Sequence, residues 1–184
     1  MLDFRTSQSD PLRIAKLRVG RGAIGMTICP GKKGKSKTGP SWNRDLRVDL
    51  NDIAEAGYKS IVTLMEWNEM RYYNIPHIKL EARDAGIDWH HFSIIDGNVP
   101  DREQLPEWRN LSAKLQRDIG NFGGVLIHCL GGLGRTGTVA AMLLQDMGMA
   151  ADEAVTEIRK LRPGAIENEL QETFVENYRD WSAP

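Results

Sequence analysis

Residues 125–137 read Val-Leu-Ile-His-Cys-Leu-Gly-Gly-Leu-Gly-Arg-Thr-Gly. Gly123-Gly124 leads into Val125-Leu126-Ile127, a short apolar run that predicts a buried strand. From Val139 to Met147 the pattern is helical. The residues between form a strand-to-helix connection, and α/β sheets bind their ligands at the carboxyl ends of strands. A helix N-terminus adds unpaired backbone N–H groups and a partial positive charge. Gly131, Gly132 and Gly134 let the backbone curl so that several of those amides turn inward, which makes an anion-binding nest.

The chemistry follows from what stands in the nest. A field that favours phosphate also favours thiolate over thiol at Cys129, and a thiolate is a competent nucleophile toward phosphorus. Arg135 lies six residues on, and its planar fork matches two phosphate oxygens. It would hold a substrate and stabilise charge in the transition state. Thr136 is placed to donate its hydroxyl to the sulfur. His128 is expected to order the loop through hydrogen bonds. Leu130, Gly131, Gly132, Leu133 and Gly134 would line a plain, neutral phosphate pocket. Cys129 or Arg135 alone could be an ordinary packed residue; the two together, with three glycines between them, argue for a site.

Outward from this loop, strands alternate with helices, which predicts an α/β domain with a central, mostly parallel sheet flanked by helices. Strands are expected over residues 23–29, 60–65 and 89–94. Helices are expected from Asp45 to a stop at Gly57, over 77–85 up to Gly86, and over 102–119, 151–161 and 167–180. Residues 1–22 read as an N-terminal arm with an extended piece near Ile14–Val19, and 23–184 as one domain. Residues 30–41 read as an exposed loop. Its Lys32, Lys33, Lys35 and Lys37 are expected to be solvated. Gly34-Lys35-Ser36 resembles the end of a nucleotide-binding loop, but Cys29 stands where that pattern needs glycine.

The chain has 184 residues and a formal net charge of -1, so no global field favours nucleic acid or membrane. Its two cysteines, Cys29 and Cys129, are too few for a disulfide framework. A cytoplasmic, reducing setting and a monomer are the expectations. No segment approaches the ~20 apolar residues of a membrane span. The histidines form no metal-ligand pattern, and neither a metal nor a cofactor is expected.

His128-Cys129-x-x-Gly132-x-x-Arg135-Thr136-Gly137 resembles the signature of the protein tyrosine and dual-specificity phosphatase superfamily. The string Gly131-Gly132-Leu133-Gly134-Arg135, with Cys29-Pro30-Gly31, His90-His91, Ile95-Asp96-Gly97 and Gly164-Ala165-Ile166, is similar to the kinase-associated phosphatase subgroup. The resemblance implies a cysteine-phosphatase fold, a phosphocysteine intermediate, a phosphoprotein substrate and a protein kinase as possible partner. It also implies that the first aspartate of the 96–101 stretch is the general acid. The residues agree: Asp101 opens a capping-box pattern with Gln104, whereas Asp96 sits in a Gly/Asn turn with no such duty. Asp96 would then serve as base toward water, and Gln171 would stand where related phosphatases place a water-positioning glutamine; an ordinary surface glutamine is the other reading. Related phosphoinositide and RNA phosphatases often carry lysine or asparagine in the loop, and this chain has neither, which favours phosphotyrosine, phosphoserine or phosphothreonine in proteins. A silent phosphoprotein-binding adaptor and a phosphatase of non-protein esters stay open as alternatives.

Overall fold

The computed structural model describes residues 4–36, 39–121 and 123–182. In chain order its elements are β1 (Phe4–Arg5), β2 (Ala15–Val19), β3 (Gly22–Thr27), β4 (Lys33–Gly34), β5 (Ser41–Asn43), α1 (Leu46–Glu55), β6 (Tyr58–Thr63), α2 (Trp67–Tyr72), α3 (Ile78–Asp84), β7 (Asp88–His91), α4 (Leu105–Gly120), β8 (Gly124–His128), α5 (Gly134–Asp146), α6 (Ala151–Leu161) and α7 (Glu169–Ser182). Among the described residues no helix is long and apolar enough to cross a membrane.

The main sheet has the order β2-β3-β8-β6-β7. β8 is central and parallel to both β3 and β6, β7 is parallel to β6, and β2 is antiparallel to β3. The sheet is therefore mixed, its antiparallel edge supplied by residues 15–19. A buried central strand carries apolar side chains on both faces. Val125 and Ile127 belong to a core with Trp108, Leu143, Ile158 and Phe174, covered by α4–α7. Leu126 belongs to a second core with Leu50, Ile53, Ile61 and Ile78, covered by α1 and α3. Asp146, at the end of α5, accepts from Trp108 Nε1 and Ser112 Oγ on α4 and from the Tyr178 hydroxyl on α7, which locks three helices on one face.

Local signals set the element ends. Asp45 caps α1, accepting from the amides of Arg47 and Val48. Gly57 and Gly86 take positive φ just past α1 and α3. Two helices differ from the sequence expectation. α5 begins at Gly134, earlier than its apolar run, because Gly134–Thr138 carries glycine and threonine where the periodicity would show. Arg135 and Thr136 thus sit in the first helical turn. α2 was not anticipated: only Met70 is buried on it, so no apolar stripe marks it. Instead it is started by a reciprocal pairing of Glu66 and Glu69 with each other's backbone amides.

The 30–41 stretch, expected as an exposed loop, carries β4 and the start of β5. β4 pairs with β5, and β5 with β1, in a three-stranded sheet; Lys37 lies outside the described residues. This corner is held by Arg44, which is buried and bidentate on Asp49 at 2.8 and 2.7 Å. Asp49 also accepts from the Gly31 amide, and Arg44 donates to the Asp10 carbonyl. Removing one partner strands the other charge in the interior. Asp49→Ala should lower unfolding free energy by about 3–5 kcal/mol in denaturant titration, while the paired Arg44→Met/Asp49→Leu replacement should lose clearly less. Equal losses would show that the pair is not the reason.

Candidate active site

β8 ends at His128, whose register neighbours are Thr27 on β3 and Thr63 on β6. Cys129 therefore leaves the sheet at its carboxyl edge, between two parallel strands. The carbonyls of the next residues are all engaged from outside. Leu130 O accepts from Lys32 Nζ and from the Cys29 amide, each at 3.3 Å, and Gly131 O and Gly132 O accept from Arg162. A trans peptide unit is planar, so a carbonyl pinned outward turns the following N–H inward. The Gly132 amide donates to Cys129 Sγ at 3.2 Å. Gly132 has φ of 69°, and a Cβ there would overlap the Thr27 carbonyl, so only glycine fits.

Arg135 is fully buried. Its two terminal nitrogens grip Glu69 at 2.7 and 3.0 Å, with the Ile94 carbonyl at 3.0 Å and Asp96 Oδ1 at 2.8 Å. Burial works against its charge, but Glu69, Cys129 and Asp96 outweigh that and hold the guanidinium above its ordinary value. Its Nε, and Thr136 Oγ1 beside it in the chain, are buried without a hydrogen-bond partner. The hydroxyl-to-sulfur bond expected for Thr136 is not formed.

His128 is wholly buried, and burial pushes its pKa down to about 4. The Cys129 carbonyl, 3.3 Å from Nδ1, can only accept, which places the proton on Nδ1. Nε2 then accepts from Thr63 Oγ1 at 2.8 Å, and Thr63 accepts from Trp89 Nε1 at 2.9 Å. This neutral chain ties the loop to β6 and β7.

Asp96 stands on an exposed turn after β7, with its carboxylate open to solvent except for Arg135. The turn is fastened to the start of α7: Asn168 Nδ2 donates to Gly97 O at 2.9 Å, and Gln171 Nε2 to Asn98 O at 3.4 Å. Gln171 is fully buried, and its Oε1 accepts the Glu167 amide, so the surface reading of this residue falls. Asp101 forms the capping box with Gln104 and takes no part in the cluster.

Four residues of the site were not singled out from sequence. Glu69 orients Arg135, Glu167 accepts the Gly134 amide at the N-terminus of α5 at 2.8 Å, and Lys32 and Arg162 hold the loop carbonyls. Glu69 had a readable signal, three residues after another acid at a helix start. Arg162 precedes Pro163-Gly164 and reads only as a helix break. Cys29 is buried, and burial pushes its thiol well above its ordinary value.

Residues 38–149 match a family model described as "Polymorphic toxin system, DSP-PTPase phosphatase". The chain belongs to the dual-specificity and tyrosine phosphatase family. Human cyclin-dependent kinase inhibitor 3 is 29% identical over 94% of this chain and 81% of its own length. Mouse protein tyrosine phosphatase type IVA 3 is 30% identical over 74% of this chain and 73% of its own. Among solved structures, kinase associated phosphatase with its catalytic-site cysteine substituted by serine superposes with a TM-score of 0.80, at 29% identity, covering 92% of this chain and 95% of that one. This member of the family is an enzyme, a phosphatase of the tyrosine or dual-specificity type.

The buried histidine gives a stability test. Below its unfolded value of 6.5 the unfolded chain binds a proton that the folded His128 refuses, so stability falls as pH drops from 6.5 towards 4. The loss should approach roughly 3 kcal/mol, read as a falling denaturation midpoint, and His128→Gln should flatten that slope.

Proposed function

We propose that this phosphatase removes phosphate from phosphorylated protein side chains through a phosphocysteine on Cys129. The observation that carries the reading is a buried Arg135 Nε–H and a buried Thr136 hydroxyl without protein partners, next to the loop in which the Gly132 amide donates to the Cys129 sulfur. Buried donors are normally paired, and phosphate oxygens would satisfy both.

In the first step the Cys129 thiolate attacks phosphorus, the P–O ester bond breaks, and Asp96 gives its proton to the leaving oxygen. Arg135 and the inward amides bear the negative charge of the transition state. In the second step water attacks the phosphocysteine, Asp96 takes the water's proton, the S–P bond breaks, and inorganic phosphate leaves with the thiolate restored. Gln171, buried against the acid turn, positions that turn and the water.

A protein substrate suits the rim, where Tyr72 and Ile95 are exposed apolar side chains near the acid turn and the α2 segment. Lys33 and Lys35 line an open cleft with Tyr72 and Tyr73, which suits acidic residues flanking the phosphosite. By analogy with the kinase associated phosphatase, a phosphorylated protein kinase is the proposed partner, met by a monomer in a reducing cytoplasm.

Hydrolysis of p-nitrophenyl phosphate in the presence of a chelator tests the chemistry. Cys129→Ser should abolish turnover, and retained activity would end the reading. Asp96→Asn should lower kcat by about hundredfold or more. Glu69→Gln should cut kcat/KM by about tenfold to hundredfold, with partial rescue by Asp at that position. Phosphopeptide panels should show release of phosphate from protein-like substrates, and a protein that binds them without release would favour the adaptor.

A further inference from the structure

One donor of the nucleophile loop is already taken by an anion of the protein's own. The Leu133 carbonyl accepts from the Gly137 amide at 2.8 Å and so points along α5 towards its C-terminus. The peptide unit is planar, so the Gly134 N–H points the other way, out of the N-terminal end of the helix. Glu167 Oε2 accepts from it at 2.8 Å. A Cβ at Gly134 would overlap that oxygen and crowd the Gln171 side-chain amide. Gln171 in turn reaches Asn98 O at 3.4 Å. The Glu167 carboxylate therefore stands beside both the loop and the turn that carries Asp96.

Glu167 is not a packing residue. Its side chain is exposed, and among the described residues it forms no ion pair. The residue before it, Ile166, has φ of 60°, a left-handed conformation that β-branched residues avoid. The surroundings impose that conformation. Ile166 is buried, its carbonyl accepts from Arg159 Nη2 at 3.0 Å, and its amide reaches Leu133 O at 3.5 Å. Backbone strain of this kind clusters at functional sites, and here it delivers a carboxylate to the start of α5.

This inference rests on the reading that the loop takes a phosphoryl group. A phosphoryl group and Glu167 then compete for the same N–H. The phosphoryl dianion brings more charge and more acceptor oxygens than a carboxylate, so it displaces Glu167, whose exposed side chain can turn to solvent. We propose that Glu167 is an internal competitor for the phosphate nest, an affinity-setting residue that occupies the Gly134 donor in the empty pocket. Every phosphoryl group that enters must break the Glu167 contact and meet its like charge. The penalty falls alike on substrate, transition state and product. It therefore raises KM and the inhibition constant of product phosphate together, and keeps free phosphate from saturating the pocket.

Calorimetric titration with inorganic phosphate, and inhibition of p-nitrophenyl phosphate hydrolysis by the same anion, test the competition. Glu167→Ala removes the competing oxygens and their charge, and should bind phosphate about tenfold more tightly. Glu167→Gln keeps an oxygen that can accept from Gly134 but loses the charge, and should tighten binding by less. In both variants KM should fall along with the inhibition constant. A residue that merely propped the loop would do the reverse, since its loss would loosen the nest, raise KM and lower kcat. Phosphate bound no more tightly by either variant overturns the proposal, as does a KM that rises in both. The binding isotherm needs no turnover. Activity retained by Cys129→Ser would end the phosphocysteine reading without altering these affinities, whereas active Glu167 variants with unchanged phosphate affinity would refute the competition alone.

Discussion

The site depends on which way three peptide units face. The carbonyls of Leu130, Gly131 and Gly132 are drawn outward by Lys32, the Cys29 amide and Arg162. Because each unit is rigid, the amides that follow face away from those carbonyls, and that of Gly132 donates to the Cys129 sulfur. A short loop cannot hold such an arrangement by its own propensity, since its glycines give it too many conformations. The outward grip therefore comes from groups remote in sequence, and it fixes the conformation of a segment whose glycines leave it free to vary.

The guanidinium of Arg135 faces a related problem. It is fully buried at the start of a helix, where a lone charge would be expensive. Glu69 offsets that cost with two hydrogen bonds, and the Ile94 carbonyl takes another donor. This leaves Nε uncommitted. Fixing the terminal nitrogens sets the plane of the group, so the remaining donor is held in a defined orientation before any ligand arrives. The cost of ordering this side chain is thus met during folding. Asp96, also in contact with the guanidinium, joins its turn to the same centre, while Asn168 and Gln171 fasten that turn from α7.

Much of the scaffold was legible in the sequence because its signals are local. β8 was marked by its apolar run between glycine pairs, α1 by Asp45 and Gly57, and the approach to α4 by the Asp101–Gln104 box. The illegible parts share one cause. α2 buries a single residue and so leaves no periodic trace, and the Glu66–Glu69 spacing marks a helix start without showing that Glu69 pairs with Arg135. Gln171 carried no sign of being buried. Lys32 was one lysine in a run expected to be solvated, yet it reaches a carbonyl nearly a hundred positions away. The edge strand β2 was visible as an extended piece, but its antiparallel pairing with β3, which makes the sheet mixed, was not.

The sequence by itself determined the strand, the glycine curl, the helix after it, and the placing of a thiol and a guanidinium six residues apart. These follow from backbone sterics and short-range hydrogen bonding, which act between near neighbours. Only the tertiary structure decided which charges meet them. Arg135 finds Glu69 from 66 positions away, and the loop finds Arg162 from 30. Such pairings depend on the order of strands in the sheet and the packing of helices on it, which no local pattern encodes.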